Sequence, residues 1–194
     1  LGVVANIKGR NPKDPAAGLV VLRNMDTAGG QGADMNSGDA RVSSFSCRTP
    51  FWSKMAKLDI ELPQPGHYAV GFMFLPPDVV ERENTQRHFE KLVTANGQEL
   101  LGWRNVPVNP EVLGEKSRQS QPFMAQVIKA SPQIIDRLSI DDNAFERQLY
   151  SIRRQAENHI RYGRLRGGRY FYIASLSSRT IVYKGMLTTE QRVL

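Results

Sequence analysis

Two stretches of the chain repeat their apolar residues with a helical period, and this constrains the fold more than any other feature. From Asn143 to Ile160, Phe145, Leu149, Ile152, Ala156 and Ile160 recur every three or four residues, the spacing that lines one face of an α-helix. Asp141 or Asp142 stands where an N-cap belongs, since a short carboxylate accepts from the first unpaired backbone N–H groups. The other stretch runs from Asp78 to Ala95. There Val79, Val80, Phe89, Leu92 and Val93 fall mostly on one face, and Gly97 follows as a C-cap. A shorter helix is expected over 15–24, carrying Leu19, Val20 and Leu22, with Pro15 in its first turn.

Around these helices lie apolar runs of strand character. "HYAVGFMFL" follows the turn "LPQPG" and is closed by Pro76-Pro77. Residues 99–108 read as a strand interrupted at Gly102, and 123–130 as another. The chain closes with strands at 170–175 and 179–184, separated by the break "SLSS". Residues 26–40, dense in glycine and aspartate, are a loop. Helices and strands do not alternate as βαβ units, and there is no repeat, low-complexity tract or long linker. The expected fold is a single layered α+β domain over residues 1–194.

Composition removes several function classes. No apolar run approaches the roughly 18–20 residues of a membrane span. The N-terminus "LGVVANIKGR" places its charges after its apolar residues, the reverse of a signal peptide. The net charge of +7 favours acidic partners. Cys47 is the single cysteine, which excludes an internal disulfide or a multi-cysteine metal site and fits a reducing compartment, the cytoplasm or an organelle matrix. His67, His88 and His159 lack ligand spacing, so no metal site is expected.

Few motifs suggest chemistry. The glycines of 29–38 lack both the GK[ST] ending of a P-loop and the GxGxxG register. Ser175, Ser177 and Ser178 have no local histidine and no GxSxG elbow, which argues against serine catalysis. Cys47 beside Arg48 reads as structural. "RYGRLRGGRYFY" interleaves Arg161, Arg164, Arg166 and Arg169 with tyrosines. A solvated basic loop is the first reading, and contact with nucleic acid the alternative. "SLSSRTIVYKG" reads as two half-buried strands and a turn.

Several stretches together resemble the glutaminase domain, a class-II glutamine amidotransferase, that begins the glutamate synthases. They are "ANIKG" (5–9), "GAD" (32–34), "SGDA" (37–40), "LPQPGHYAVGFMFLP" (62–76), "LGWRNVPV" (101–108), "FERQLYSIRRQAE" (145–157) and "FYIASLSSRTIVYKGML" (171–187). The resemblance covers almost the whole chain. It implies the four-layer αββα fold of N-terminal-nucleophile amidohydrolases, with two mixed sheets flanked by the two long helices. "SLSSRTIVYKG" would then be a strand-turn-strand of the inner sheets, and Arg179 and Lys184 are candidates for the edge of a glutamine site.

Against that family pattern the chain shows departures. The family's nucleophile is an N-terminal cysteine whose own α-amine is the base. Here Leu1 aligns just past it, and Cys47, lying mid-chain, has no free α-amine. The family's HRG stretch, whose arginine grips the substrate α-carboxylate, aligns with Thr27, Ala28 and Gly29. With Gly32, Asp34, Gly38 and Asp39 these are the positions of the substrate loop, which reads as degenerate, "SGDARV" (37–42) standing where the family has a glycine-rich SGDG-type continuation. The sequence stops at Leu194 before the family's Asn-Gly oxyanion segment, so about half of the domain is expected here. The FMN and iron–sulfur cluster of the parent family belong to other domains, and no cofactor is expected in this chain. These departures lead to the expectation of a catalytically degenerate domain serving as an assembly component, with other protein chains completing it. An active glutaminase segment, with its cysteine upstream, and a nucleic-acid-contacting accessory protein remain the alternatives.

Overall fold

The structure is a computed structural model that describes residues 40–46, 62–63, 66–130 and 142–186. The stretch 5–9, the expected helix over 15–24 and the expected loop up to residue 39 lie outside these. In chain order the elements are β1 (Ala40–Ser46), β2 (Tyr68–Leu75), α1 (Val79–Ala95), β3 (Glu99–Asn105), α2 (Glu115–Gln119), β4 (Phe123–Ala130), α3 (Asp142–Ala156), β5 (Tyr172–Ser177) and β6 (Thr180–Met186).

The chain divides into two compact units. One comprises residues 1–41, 109–120 and 184–194. Its described part holds a 3-10 turn over Pro110–Val112, capped by Asn109 Oδ1 accepting from Glu111 N at 3.1 Å, and the short α2. The other unit comprises residues 42–108 and 121–183 and carries the core.

Its centre is a four-stranded sheet in the order β3-β4-β2-β5. All its pairings are antiparallel, Tyr68 lying opposite Ala130 and Leu75 opposite Phe123. The expectation of mixed sheets is corrected for this sheet. β2 is buried on both faces, which is why its sequence reads as a continuous apolar run instead of alternating. Gly71 fits within it because a Cβ there would come 2.7 Å from Val127 Cγ1. In β3 the register shifts between Leu100 and Gly102, so the interruption expected at Gly102 is a bulge. This strand ends at Asn105, three residues short of the expected limit.

Both long helices pack on one face of the sheet. Phe89 and Val93 of α1 and Phe145, Leu149, Ile152 and Ala156 of α3 form one cluster with Ala69, Met73, Leu75, Val127 and Ile173. Leu92 is half-buried against this cluster. The helices therefore do not flank the sheets from two sides. β1 and β6 form a separate two-stranded sheet. On the opposite face of the four-stranded sheet, Ile181 of β6 is buried with Tyr68, Val70, Phe72 and Ile128, and Tyr183 packs against them.

α1 starts as expected, Asp78 Oδ1 accepting from Glu81 N at 2.9 Å, and Gly97 takes the left-handed φ of 68° just past its end. Val79 and Val80, however, are 53% and 71% exposed. The buried residues of this helix are Thr85, Phe89 and Val93. At about 100° per residue, Val80 lies half a turn out of phase with Phe89. α3 also departs from expectation. Its α-helical hydrogen bonding stops at Ala156 and one π turn follows over Glu157–Arg161, with Tyr162 N donating to Glu157 O at 3.1 Å. A left-handed Gly167 (φ 77°) and a 3-10 turn over Gly168–Tyr170 then delay β5 to Tyr172. No helix among the described residues is long and apolar enough to cross a membrane.

Candidate functional site

The serine-rich segment is where the chain leaves one sheet for the other. β5 pairs with β2, while β6 pairs with β1, so the two do not form a hairpin. The break expected over "SLSS" is confined to Ser178 and Arg179, because Ser175 to Ser177 lie in β5. A strand that turns out of its sheet loses ladder partners, and its N–H groups must find others. The serines supply them. Ser175 Oγ accepts from Val182 N at 2.9 Å. Ser177 Oγ accepts from Arg179 N at 3.0 Å and from Thr180 N at 3.3 Å.

A single carboxylate oxygen locks this corner. Glu146 Oε1 accepts from Ser178 N at 2.7 Å, from Ser178 Oγ at 2.7 Å and from Ser177 Oγ at 3.1 Å. Charge-assisted bonds of this kind are shorter and stronger than neutral ones. One turn earlier on α3, Asn143 Oδ1 accepts from the Arg179 guanidinium at 2.8 Å. Arg179 is thus exposed but turned onto the start of the helix. Glu146 was not singled out from the sequence. Its partners lie more than thirty residues away, and its neighbours Phe145 and Leu149 carry the periodic signal.

Between the four-stranded sheet and β6 lies a second polar link. Gln126 is fully buried; its Oε1 accepts from Arg104 at 2.7 Å, and its Nε2 donates to Tyr183 Oη at 2.8 Å. The Tyr183 ring lies 5.2 Å from that of Phe72. Lys184, half-buried, is the next residue of the strand, and successive side chains of a strand point to opposite faces. Arg179 and Lys184 thus belong to a corner and a strand that are held by polar crossings.

The arginines of 161–169 are placed differently. Arg161 donates to Phe171 O at 3.2 Å and lies 5.6 and 5.9 Å from the ring centroids of Tyr172 and Tyr162. Arg166, although 92% exposed, bridges Glu81 at 2.8 Å. Arg169 stacks 4.9 Å from the centroid of Tyr170 and donates to its hydroxyl at 3.2 Å. Arg164 is exposed. Cys47 and the substrate-loop positions Thr27, Ala28, Gly29, Gly32, Asp34, Gly38 and Asp39 lie outside the described residues. Among the described residues no three His, Cys, Asp or Glu side chains gather as a metal site.

The sequence is similar to those of known proteins. The family model for class-II glutamine amidotransferases matches residues 1–193. The chain is 42% identical over 193 residues to the glutamate synthase [NADPH] large chain of Bacillus subtilis, covering 98% of this chain and 12% of that protein. It is 36% identical over 173 residues to the ferredoxin-dependent glutamate synthase 1, chloroplastic/mitochondrial, of Arabidopsis thaliana, covering 89% of this chain and 10% of that protein. With the glutamate synthase [NADH] of Schizosaccharomyces pombe the identity is 32% over 196 residues, covering 98% and 9%. The chain thus spans about a tenth of the length of these curated relatives.

Proposed function

The chain belongs to the class-II glutamine amidotransferases, and from that premise we propose that it is the glutaminase-type domain of a glutamate-synthase-like protein that has lost glutamine hydrolysis and serves as an assembly component. The observation that carries the loss is internal to the sequence. Where the family resemblance calls for histidine and arginine, this chain has Thr27 and Ala28. An alanine offers no charge to a substrate α-carboxylate. Loss of a charge-assisted bidentate contact costs a few kcal/mol, or roughly two to three decades in kcat/KM.

The finer fold that goes with this reading is the four-layer αββα sandwich, formed by one domain that includes all of residues 1–194. Its support is the stacking of a helix layer, a four-stranded sheet and β6. Arg179 and Lys184 stand at the edge of the ancestral glutamine site, and the corner locked by Glu146 is architecture retained from it. FMN and an iron–sulfur cluster belong to other domains of such a protein, in the cytoplasm or an organelle matrix. Its partners are other protein surfaces of the assembly. The second reading, an active glutaminase, is favoured by the match to the family along nearly the whole chain.

Ammonia release from glutamine decides between the two, measured on the native polypeptide that contains this segment, with its natural N-terminus. The expected result is a rate near background, with Ala28→Arg improving glutamine binding. Turnover on the order of 1 s⁻¹ or more, an ordinary enzyme rate, overturns the loss of activity and leaves the family assignment standing.

A further inference from the structure

The π turn after α3 decides which side chains share the outer face of that helix. Tyr150 and Tyr162 are twelve residues apart, which in an unbroken α-helix puts them about 120° out of line. Tyr162 N instead bonds Glu157 O, five residues back. A π turn of this kind adds one residue to a turn, so the separation is that of eleven residues, about 20° out of line. Tyr150 and Tyr162 therefore stand on one face, and they are 64% and 71% exposed. Arg154, four residues beyond Tyr150, is on the same side with its side chain 52% exposed.

The segment that carries this face is also basic. Residues 143–170 contain seven arginines and two glutamates, and neither carboxylate looks outward. Glu146 is held at the serine corner, and Glu157, 9% exposed, accepts from Arg153 at 3.1 Å and Arg154 at 2.6 Å. The geometry points to a docking surface for an acidic protein partner, with Tyr150 and Tyr162 as its anchors and Arg154 between them. Exposed tyrosine beside arginine is the composition enriched at protein interfaces, and the excess of positive charge selects an acidic counterpart. A nucleic-acid backbone calls for a row of cations open to phosphate. Here Arg153 and Arg154 share Glu157, and Arg161 is turned onto Phe171 O.

The inference gives a chemistry to the partner proposed above, and its failure leaves the proposed loss of glutamine hydrolysis untouched. The test uses the full chain with a fluorescein-labelled acidic amphipathic peptide of glutamate and leucine, followed by fluorescence anisotropy. A single-stranded oligouridylate of matched charge is the second probe. The peptide is expected to bind, with an affinity that falls as salt is added. The double substitution Tyr150→Ser, Tyr162→Ser should weaken it by about tenfold or more, with the thermal unfolding midpoint retained. Deleting Asn158 converts the π turn to an α turn and swings Tyr162 by about 100°, with a comparable loss of binding. If that deletion does not fold, the two exposed serine substitutions carry the test alone. The proposal is overturned if the peptide does not bind or if its binding is indifferent to both tyrosines. Tighter binding of the oligouridylate through the same tyrosines also overturns it and assigns the face to nucleic acid.

Discussion

The two faces of the four-stranded sheet are held by different forces. Towards the helices the contacts are mostly apolar: Ala69, Met73, Leu75, Val127 and Ile173 meet Phe89, Val93, Phe145, Leu149 and Ile152, with Trp103 Nε1 donating to Glu90 of α1 at 2.8 Å at the margin. Towards β6 the apolar residues Phe72, Ile128 and Ile181 share the layer with directed polar links, Gln126 to Tyr183 and Ser175 to Val182. Apolar burial is strong but non-directional, so the position of the helices along the sheet falls to a few polar bonds, Trp103 to Glu90 and the serine corner to Glu146. Hydrogen bonds have a narrow geometry and are costly to leave unmade when buried. The helix face therefore supplies most of the adhesion, and the other face sets where β6 lies.

The largest effect should come from the adhesive face. Leu149→Ala removes a fully buried side chain from the helix cluster and should destabilise the fold by about 3–5 kcal/mol, measured by urea unfolding. A cost below about 1 kcal/mol would mean that the helices contribute little and that the contrast between the faces is wrong.

Next comes the corner. Glu146→Ala leaves the N–H of the buried Ser178 without its acceptor, and the expected cost is about 2–3 kcal/mol. Glu146→Gln retains a carbonyl oxygen and should recover most of that loss. Hydrogen exchange of the amides of Ser178 to Val182 should rise in the alanine variant more than exchange within α3. Uniform acceleration across both would assign Glu146 to general stability instead of to the corner.

The apolar contacts are legible in the sequence and the polar bonds are not, for a physical reason. Helical periodicity is a local signal, so Phe145, Leu149, Ile152, Ala156 and Ile160 could be read from their spacing, and all five are buried. The strand 123–130 was read to its limits. Glu146 and Gln126 act on residues 31–32 and 57 positions away, and no local pattern encodes such pairs. Val80 was misread because its apolar character suggested the core while its phase pointed away from it. The π turn left no signature, since Ile160 stays buried on either side of the added residue. The family resemblance pointed to the substrate loop, whose positions lie outside the described residues.

Gln126→Leu tests the polar face at its middle. Tyr183 loses its donor and Arg104 its acceptor, but Arg104 is only half-buried, and water can replace one partner. The expected cost is about 1–2 kcal/mol. Because Gln126 and Leu149 lie on opposite faces, their double substitution should be additive within about 0.5 kcal/mol. A larger coupling would show that the sheet transmits strain between the faces and that they are not independent.

The smallest effect belongs to a contact that neither face uses. Arg166 bridges Glu81 at 2.8 Å, yet its side chain is 92% exposed. An ion pair in that setting gains little, because water screens the charges and a long side chain must be ordered to hold them. What fixes this loop is Gly167, whose left-handed φ of 77° disfavours any side chain and whose Cβ would fall 2.5 Å from Glu81 Oε2. The backbone at Gly167 and the buried Phe171 beyond it should thus hold the segment whether or not the bridge forms. Arg166→Ala should change the urea midpoint by the equivalent of less than about 0.5 kcal/mol, and 0.5 M salt should erase even that. A cost near that of Gln126→Leu would place Arg166 among the elements that fix the fold, and order in this molecule would no longer divide between one apolar and one polar face.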